Sequence, residues 1–365
     1  MLLVPSSTMI INNETPIRRN LKIVKRWLAI QFCDPRFLNI ISQMCFMVGI
    51  SSIGSIGVIF AIPYLYEDFD PSVVFGVRAL GCFIAFQMTI NWLCIKYVDS
   101  SYNPFRDGTV PDGISLGQNI YHARRRDENQ NGDAYGRGRK DATSVTMGGN
   151  NGSVMYVASE MPTSFDAPPK RTAYPYFSWT PCLLCNRPRP PRCHHCPLCK
   201  KCILKRDHHC FFSGACVGYN NLRHFSIFLF WSSVGTIFAT LHALPYYYYS
   251  IVPFTKYVDF FFPIAVLRCV FGYLDFVHTF NIVMGWLLLA LLFWAISFTK
   301  VVINLITIGK TTFEVDFKMS VTDTRGLGDK LRAVYGNYWV LNFLIPLHWV
   351  FKPIDDPVKW PTIKA

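Results

Sequence analysis

Hydrophobic and polar residues are segregated along this chain into long blocks. Four blocks are almost entirely apolar, at residues 40–65, 72–97, 224–250 and 279–306. Each is long enough to cross the hydrocarbon core of a bilayer, roughly 30 Å thick, as a single α-helix. The pattern therefore predicts a polytopic α-helical membrane protein with four transmembrane helices.

The loop between the third and fourth blocks, residues 251–278, contains a further apolar stretch at 257–276. Asp259, Arg268 and Asp275 interrupt this stretch, and charged side chains are costly inside hydrocarbon. A fifth crossing would also place the basic C-terminal tail on the opposite side of the membrane from the other basic segments. We therefore interpret the stretch as a re-entrant or interfacial element within a lumenal loop.

The remaining segments are polar and lie outside the predicted spans. Residues 1–39 form a basic N-terminal segment, and residues 307–365 form a C-terminal tail. Residues 98–172 are rich in Gly, Asn, Asp, Ser and Arg, and such a segment cannot bury enough apolar surface to offset the entropy lost on ordering. We predict that it is a disordered insertion, followed by a cysteine-rich domain at residues 173–223.

Basic residues are concentrated outside the apolar blocks and indicate an orientation. The net charge is +13, and 32 of the 36 Lys and Arg residues lie in three segments: six in 1–39, seventeen in 98–223 and nine in 300–365. Short loops retained in the cytosol carry such an excess. With 51% hydrophobic residues, the chain is too apolar for an ordinary soluble protein. We expect a multi-pass integral protein of an endomembrane, the endoplasmic reticulum or the Golgi, with these segments in the cytosol.

Candidate metal ligands are concentrated between the second and third predicted spans. Eight of the thirteen cysteines and four of the nine histidines lie in residues 182–216. Thiolate and imidazole are the ligands that zinc prefers, and a two-residue gap lets both sulfurs of a turn face one ion. This gap recurs in the pairs Cys182/Cys185, Cys196/Cys199 and Cys199/Cys202. The twelve candidates suffice for two complete four-ligand sites.

Two other interpretations of the cysteine cluster are less favoured. A disulfide framework is typical of oxidising compartments, whereas the cluster is predicted to face the reducing cytosol. A nucleic-acid-binding zinc finger would require a recognition helix and a different ligand layout, and neither is visible. We therefore expect structural zinc and no nucleic-acid partner.

The sequence Asp207-His208-His209-Cys210 contains a candidate catalytic group. Neighbouring residues of an extended segment point in different directions, so one histidine can bind metal while the other activates Cys210. A thiol has an ordinary pKa of about 8.5 and becomes a good nucleophile only as a thiolate. An aspartate beside the histidine would complete a nucleophile, base and orienting residue. Taken alone, the same four residues could equally be structural.

Residues 182–221 closely resemble the cysteine-rich domain of the DHHC protein S-acyltransferases, or palmitoyltransferases. The resemblance rests on four further groups of residues besides the cysteine spacing: Pro190-Pro191-Arg192, His195-Cys196, Asp207 to Cys210, and Cys216-Val217-Gly218-Tyr219-Asn220-Asn221. Beyond the fourth span, Thr311-Thr312-Phe313-Glu314 matches the family's Thr-Thr-x-Glu motif, and Val334-Tyr335-Gly336 is similar to its Val-Phe-Gly element.

The resemblance implies two structural Zn²⁺ ions. The ligands of the first would be Cys182, Cys185, His195 and Cys202, and those of the second would be Cys196, Cys199, His209 and Cys216. Cys193 and His194 would not be ligands. The expected fold is four transmembrane helices with a cytosolic zinc-binding cysteine-rich domain between the second and the third.

The resemblance also implies a reaction. A long-chain acyl (palmitoyl) group would pass from acyl-CoA to Cys210, and from this acyl-enzyme to cysteine thiols of membrane-associated protein substrates. His208 would be the base and Asp207 the residue that orients it. Thr312 would contact Asp207, and Glu314 would help to dock the cysteine-rich domain. The expected partners are acyl-CoA, these protein substrates and the lipid bilayer.

The chain departs from the family pattern at three places. Phe211-Phe212 stands where Pro-Trp is usual, Gly214-Ala215 stands where Asn-Asn is usual, and Lys330 stands where the tail usually has Asn. The first two departures favour an alternative, a non-catalytic zinc-scaffolded membrane adaptor. The intact Asp207, His208 and Cys210 and the Thr-Thr-x-Glu motif argue against it.

Overall fold

A computed structural model describes residues 35–108, 144–145, 154–158, 171–344 and 352–364. Most of the predicted N-terminal segment and most of the predicted insertion lie outside the described residues.

Within the described residues, four helical segments are long and apolar enough to cross a membrane: Phe37–Leu65, Pro71–Tyr97, Leu222–Phe254 and Phe276–Ile308. The predicted four-span architecture is confirmed. The segments agree with the apolar blocks to within four residues at each end.

The helices and 3-10 turns of the described residues follow one another in chain order. They are α1 (Pro35–Ser55), a π-helical turn (Ile56–Ala61), α2 (Ile62–Leu65), α3 (Pro71–Tyr97), α4 (Pro104–Asp107), α5 (Leu222–Ser250), 3-10 turns at Val252–Phe254 and Tyr257–Phe260, α6 (Phe262–Val270), α7 (Phe276–Ile308), α8 (Thr312–Asp316), α9 (Leu327–Tyr335) and α10 (Trp339–Asn342). The first span consists of α1, the π-helical turn and α2.

The helix ends carry local signals that the sequence encodes. Asp70 caps α3 by accepting a hydrogen bond from the Ser72 amide at 2.8 Å, and Pro71 occupies the first helical position, where a missing N–H has no cost. Helix α7 ends at Gly309, whose φ of 74° is left-handed. Glycine reaches this conformation without the steric penalty of a Cβ atom.

Helix α5 lies at the centre of the bundle and packs against both α3 and α7. Its first half is almost entirely buried, whereas many large apolar side chains of the four spans are exposed, for example Phe75 and Phe293. Exposed apolar side chains on long helices are typical of a surface that faces lipid. The buried end of α5 is the end that receives the cysteine-rich domain.

The stretch at 257–276 forms a 3-10 turn and the nine-residue helix α6. At 1.5 Å per residue, α6 is about 14 Å long and cannot cross a bilayer. The charges that interrupt the apolar pattern have partners: Arg268 Nη1 lies 2.5 Å from Asp259 Oδ1, and Asp275 caps α7. The Trp286 indole donates to the Phe260 carbonyl at 2.6 Å and holds this element against α7.

The strands of the described residues form short antiparallel sheets. They are β1 (Ser144–Val145), β2 (Val154–Ala158), β3 (Arg171–Pro175), β4 (Thr180–Cys182), β5 (Arg187–Arg189), β6 (His194–Cys196), β7 (Lys201–Ile203), β8 (His208–Cys210), β9 (Ala215–Val217), β10 (Thr322–Asp323) and β11 (Ile363–Lys364). Strands β4 to β9 form three successive hairpins in the cysteine-rich domain. Strand β11 pairs with β10 within the tail.

The segment predicted as an insertion, residues 98–172, differs from that prediction where it is described. Residues after α3 join the cysteine-rich domain: the Tyr102 amide donates to the Cys202 carbonyl at 2.8 Å, and the Leu204 amide donates to the Ser100 carbonyl at 2.9 Å. Strands β1 and β2 also lie in this range and pair with one another. Backbone pairing, which the polar composition does not reveal, orders residues 99–104 on the edge of a hairpin.

Candidate active site and metal centres

The three hairpins of the cysteine-rich domain bring the candidate ligands together in two groups. Each group combines two cysteines from one hairpin and its turn with a His and a Cys that face each other across the next hairpin. The register pairs His195 with Cys202 in the second hairpin, and His209 with Cys216 in the third. Strand β6 therefore contributes His195 to the first group and its neighbour Cys196 to the second, as the alternation of side chains along a strand requires.

The first group consists of Cys182, Cys185, His195 and Cys202, and its ligand atoms lie within 4.8 Å of one another. His195 Nδ1 lies 3.7 Å from the Cys182 sulfur and 3.2 Å from the Cys185 sulfur. The Cys185 and Cys202 sulfurs are 3.6 Å apart.

The second group consists of Cys196, Cys199, His209 and Cys216, and its ligand atoms also lie within 4.8 Å of one another. The distances from His209 Nδ1 to the sulfurs of Cys196, Cys199 and Cys216 are 3.6, 3.3 and 3.6 Å. The sulfurs of Cys199 and Cys216 are 3.5 Å apart.

These separations fit a tetrahedral zinc site. With Zn–S and Zn–N bonds of about 2.3 and 2.0 Å, a tetrahedron has S···S edges of about 3.8 Å and S···N edges of about 3.5 Å. Two pairs of sulfurs at 3.5 and 3.6 Å are too far apart for a disulfide, whose S–S bond is about 2.0 Å. Both clusters could therefore hold metal ions, and each supplies four ligands from the protein.

Strand β8 separates metal binding from the candidate catalytic group. Its middle residue, His209, points into the second metal cluster, whereas His208 and Cys210 lie on the opposite face. This division follows from the two-residue repeat of a strand.

Hydrogen bonds connect the candidate base to its orienting residue. His208 Nδ1 lies 2.7 Å from Asp207 Oδ2, and the His208 ring lowers the pKa of the Cys210 thiol. Thr312 holds Asp207 at two points: its amide donates to Oδ1 at 2.7 Å and its hydroxyl donates to Oδ2 at 2.8 Å. Asp207 thereby fixes the orientation of the imidazole toward Cys210.

The site favours charge separation between His208 and Cys210. Burial alone would lower the pKa of His208, but its hydrogen bonds with Asp207 and Cys210 outweigh burial and raise the pKa to about 9. Burial alone would raise the pKa of Cys210, but the hydrogen bond with His208 and its charge lower it. Burial likewise opposes ionisation of Asp207, and the bonds from His208 and Thr312 still keep its pKa below the ordinary value. An ionised Asp207 stabilises the imidazolium, which in turn stabilises the thiolate.

The Thr-Thr-x-Glu segment is a helix capping box. Thr311 accepts a hydrogen bond from the Glu314 amide at 3.2 Å, and Glu314 Oε2 accepts one from the Thr311 amide at 2.8 Å. This reciprocal pattern of a Thr and a Glu three residues apart starts α8. The amide of Thr312, in the first turn of α8, has no acceptor within the helix, and it donates to Asp207.

A buried ion pair fastens this capping box to the cysteine-rich domain. Arg192 and Glu314 are 1% and 0% exposed and are joined by two parallel hydrogen bonds of 2.7 and 2.8 Å. The Tyr176 hydroxyl donates to Glu314 Oε1 at 2.8 Å, and Arg192 stacks over Trp360 at 4.7 Å. The four polar contacts of Glu314 come from Arg192, Tyr176 and Thr311, so the carboxylate is compensated although buried.

Cys210 lies where the cysteine-rich domain meets the helix bundle. It is 7% exposed and belongs to a cluster with apolar residues of α3, α5, α7 and α9. The Trp92 indole of α3 donates to the Phe212 carbonyl at 3.0 Å, and the ring of Phe212 packs against Phe46 of α1 at 5.8 Å. The Phe-Phe departure therefore keeps an aromatic contact between the β8–β9 turn and the first span.

Lys330, which stands where the tail usually has Asn, contacts the end of the fourth span. Lys330 Nζ donates to the Thr307 carbonyl in the last turn of α7 at 3.0 Å, so a polar contact holds α9 at the end of the fourth span. The Tyr335 hydroxyl donates to Ser226 in α5 at 2.8 Å. Sequence reasoning missed the roles of Arg192 and Tyr176, because Glu314 was expected to help dock the cysteine-rich domain without an identified partner.

Comparisons with known proteins agree with this geometry. Residues 176–318 match the family model described as DHHC palmitoyltransferase. The chain is 41% identical over 66 residues to "Probable protein S-acyltransferase 14" of Arabidopsis thaliana, covering 18% of this chain and 22% of that protein. It is 31% identical over 159 residues to "Palmitoyltransferase ZDHHC22" of Danio rerio, covering 42% of this chain and 57% of that protein. It is 51% identical over 53 residues to "Palmitoyltransferase PFA3" of Eremothecium gossypii, covering 14% and 16%.

Each of these alignments covers less than two thirds of the relative's own length. The matched part of the chain contains all three hairpins, both metal clusters and the Thr-Thr-x-Glu segment. Residues 176–318 therefore match the DHHC palmitoyltransferase family model, and the geometry of the two clusters agrees with that match.

Proposed function

We propose that this protein is a protein S-acyltransferase that moves a palmitoyl or similar long-chain acyl group from acyl-CoA to cysteine thiols of membrane-associated proteins. The observation that carries the proposal is the hydrogen-bonded series from Thr312 through Asp207 to His208, whose ring lowers the pKa of the Cys210 thiol next to the buried ends of the spans. A buried thiol of lowered pKa beside a histidine of raised pKa suits a nucleophile that must work as a thiolate.

The reaction is a double displacement. The Cys210 proton passes to His208, and the Cys210 sulfur attacks the thioester carbonyl of acyl-CoA. The bond to the CoA sulfur breaks, and CoA leaves with the proton that His208 returns. In the second half, His208 takes the proton of a substrate thiol, whose sulfur attacks the Cys210 thioester and releases Cys210 as a thiol. Asp207 stabilises the imidazolium in both halves.

The two metal clusters would hold Zn²⁺ in a structural role. Bound zinc would cross-link neighbouring hairpins, and a four-ligand site leaves no open position for substrate. Both clusters use protein ligands only. The chain's own residues, and not the metal, then carry the proton transfers.

We propose that the acyl chain extends from Cys210 between the spans of the helix bundle. A small pocket between the first, third and fourth spans marks its far end, and Gly57, Ala61, Ala239 and Ala243 form part of the lining. Along α5, Ala239 lies about 21 Å from Phe225, which contacts His208. Burying the chain there contributes about 0.8 kcal/mol per CH₂ group. We propose that this end of the bundle faces the lumen and that Cys210 faces the cytosol, as the distribution of Lys and Arg favours.

Replacing the nucleophile tests the acyl-enzyme. We expect Cys210→Ser to keep its fold and zinc and to lose palmitate labelling that hydroxylamine removes, because serine lacks a thiolate. Purified protein labelled with an alkyne analogue of palmitoyl-CoA gives the measurement, with Cys82→Ser on α3 as the matched control. Wild-type labelling of Cys210→Ser would exclude the acyl-enzyme. If the wild type and both variants all fail to turn over acyl-CoA, the result would favour the zinc-scaffolded adaptor.

Replacing the two adjacent histidines separates catalysis from metal binding. His208→Ala should retain both zinc ions and lose turnover by about 10²- to 10⁴-fold, the usual contribution of a general base. His209→Ala should lose the zinc of the second cluster, because a tetrahedral site missing one ligand binds weakly. Zinc quantitation and acyl-CoA turnover on the same samples give both readings. Equal zinc loss in the two variants would contradict the division of roles along β8.

Breaking the buried ion pair tests how the capping box is docked. Glu314→Gln leaves the Arg192 charge buried without its counter-charge, and we expect it to destabilise the domain by about 3–5 kcal/mol. Arg192→Met combined with Glu314→Gln removes both charges and should recover part of that loss. Thermal unfolding in detergent measures each step of this cycle. If the stability losses of Glu314→Gln and Arg192→Met simply add up to the loss of the double variant, the two charges are not coupled.

A further inference from the structure

The β8–β9 turn lacks the amide side chains that its family usually has there, since Gly214-Ala215 replaces Asn-Asn. In this protein two amide side chains reach the same hairpin from the first transmembrane helix instead. They belong to Asn39 and Gln43, which are four residues apart on α1 and therefore lie on one face of the helix. Both are only partly exposed.

Asn39 contacts a candidate metal ligand. His209 Nδ1 faces the three sulfurs of the second cluster at 3.3 to 3.6 Å, and His209 Nε2 lies 3.2 Å from Asn39 Oδ1. A nitrogen that binds metal carries no proton, so the proton of the neutral ring is on Nε2, and Nε2 donates to the Asn39 amide oxygen. Histidine ligands are commonly oriented in this way by a carbonyl oxygen behind the ring, which fixes the tautomer and the ring plane.

Gln43 fills the space above Gly214. A Cβ atom built on Gly214 would lie 2.3 Å from Gln43 Nε2 and 2.8 Å from Gln43 Cδ, closer than any real contact. The Gln43 side chain is itself held in place: it donates to the Asn39 carbonyl at 2.7 Å and accepts from Lys96 Nζ of α3 at 2.8 Å. The bare backbone at 214 and the glutamine above it are therefore complementary in shape.

We propose that Asn39 is a positioning residue for the second zinc site and that Gln43 takes the place of the side chain missing at position 214. The first transmembrane helix is then part of the support of the metal-bearing hairpin. This inference rests on the proposed binding of zinc by Cys196, Cys199, His209 and Cys216. It does not depend on whether Cys210 transfers acyl groups.

The contact matters because β8 is shared. His209 and Cys210 are adjacent, so a shift of the His209 backbone displaces the nucleophile as well. Removal of a partner behind a metal-bound histidine usually lowers metal affinity by about 10- to 100-fold. We expect an effect of this size on one of the two zinc ions.

The test measures zinc release from the purified full chain in detergent, using a colorimetric zinc chelator and no substrate. Asn39→Leu, which keeps the size and removes the acceptor, should weaken one zinc by about 10- to 100-fold and leave the other unchanged. Asn39→Asp, which keeps an acceptor oxygen, should restore much of the affinity. Asn304→Leu, on an exposed position near the end of α7, is the matched control and should release zinc as the wild type does. Unchanged release from Asn39→Leu would overturn the proposal.

A second pair of substitutions keeps the test independent of the stability of Asn39→Leu. Asparagine tolerates the left-handed backbone of position 214, whose φ is 69°, so Gly214→Asn is disfavoured mainly by the clash with Gln43. Gly214→Asn should therefore speed release of the second zinc, and adding Gln43→Ala should reverse that effect. Wild-type release from Gly214→Asn alone would overturn the proposed complementarity. His209→Ala serves as the reference for a lost second zinc, so a failed metal assignment is recognised separately from a failed positioning role.

Discussion

A strand of three residues has to keep two sets of side chains in place on opposite faces, and the rest of the structure depends on this constraint. On one face of β8, His209 points at three cysteine sulfurs, and on the other face His208 and Cys210 face the ends of the transmembrane helices. Three residues form too few backbone hydrogen bonds to be stable alone. Metal ligation on one face can supply the rigidity that the hairpin itself lacks.

The opposite face of β8 is stabilised by segments that are distant in sequence. Thr312 holds Asp207 through its amide and its hydroxyl, and the helix that presents Thr312 is fastened by the buried pair of Arg192 and Glu314. A buried ion pair contributes little net stability compared with apolar residues of the same shape, but removing only one partner is costly because the other charge stays buried without compensation. Its value here is geometric, because the bidentate contact fixes the position of the capping box relative to Asp207.

Much of this arrangement can be predicted from the sequence because it is encoded locally. The four spans follow from long and almost entirely apolar blocks, and the two metal clusters follow from cysteine spacing together with the family pattern. The segment that forms α8 was recognised as the family's Thr-Thr-x-Glu motif, although its role as a helix start was not predicted. The charges at 259 and 268 indicated that the loop before the fourth span does not cross the membrane, and they form an ion pair with each other.

The contacts that could not be predicted join residues far apart in the chain. Arg192 and Glu314 are separated by 122 positions, and Asn39 and His209 by 170. No periodicity or local motif relates such residues, since their proximity arises only when the spans and hairpins pack. The ordering of residues 99–104 is a similar case, because it depends on an edge of a hairpin that lies a hundred residues further along.

Peptide mass mapping of the purified protein after brief exposure to palmitoyl-CoA, with zinc measured on the same sample, would locate the acyl group. We expect one acyl group, attached by a thioester to Cys210, on a chain that retains two zinc ions. An acyl group found on Cys196, Cys199 or Cys216 in place of Cys210, or acylation accompanied by zinc loss, would contradict this expectation.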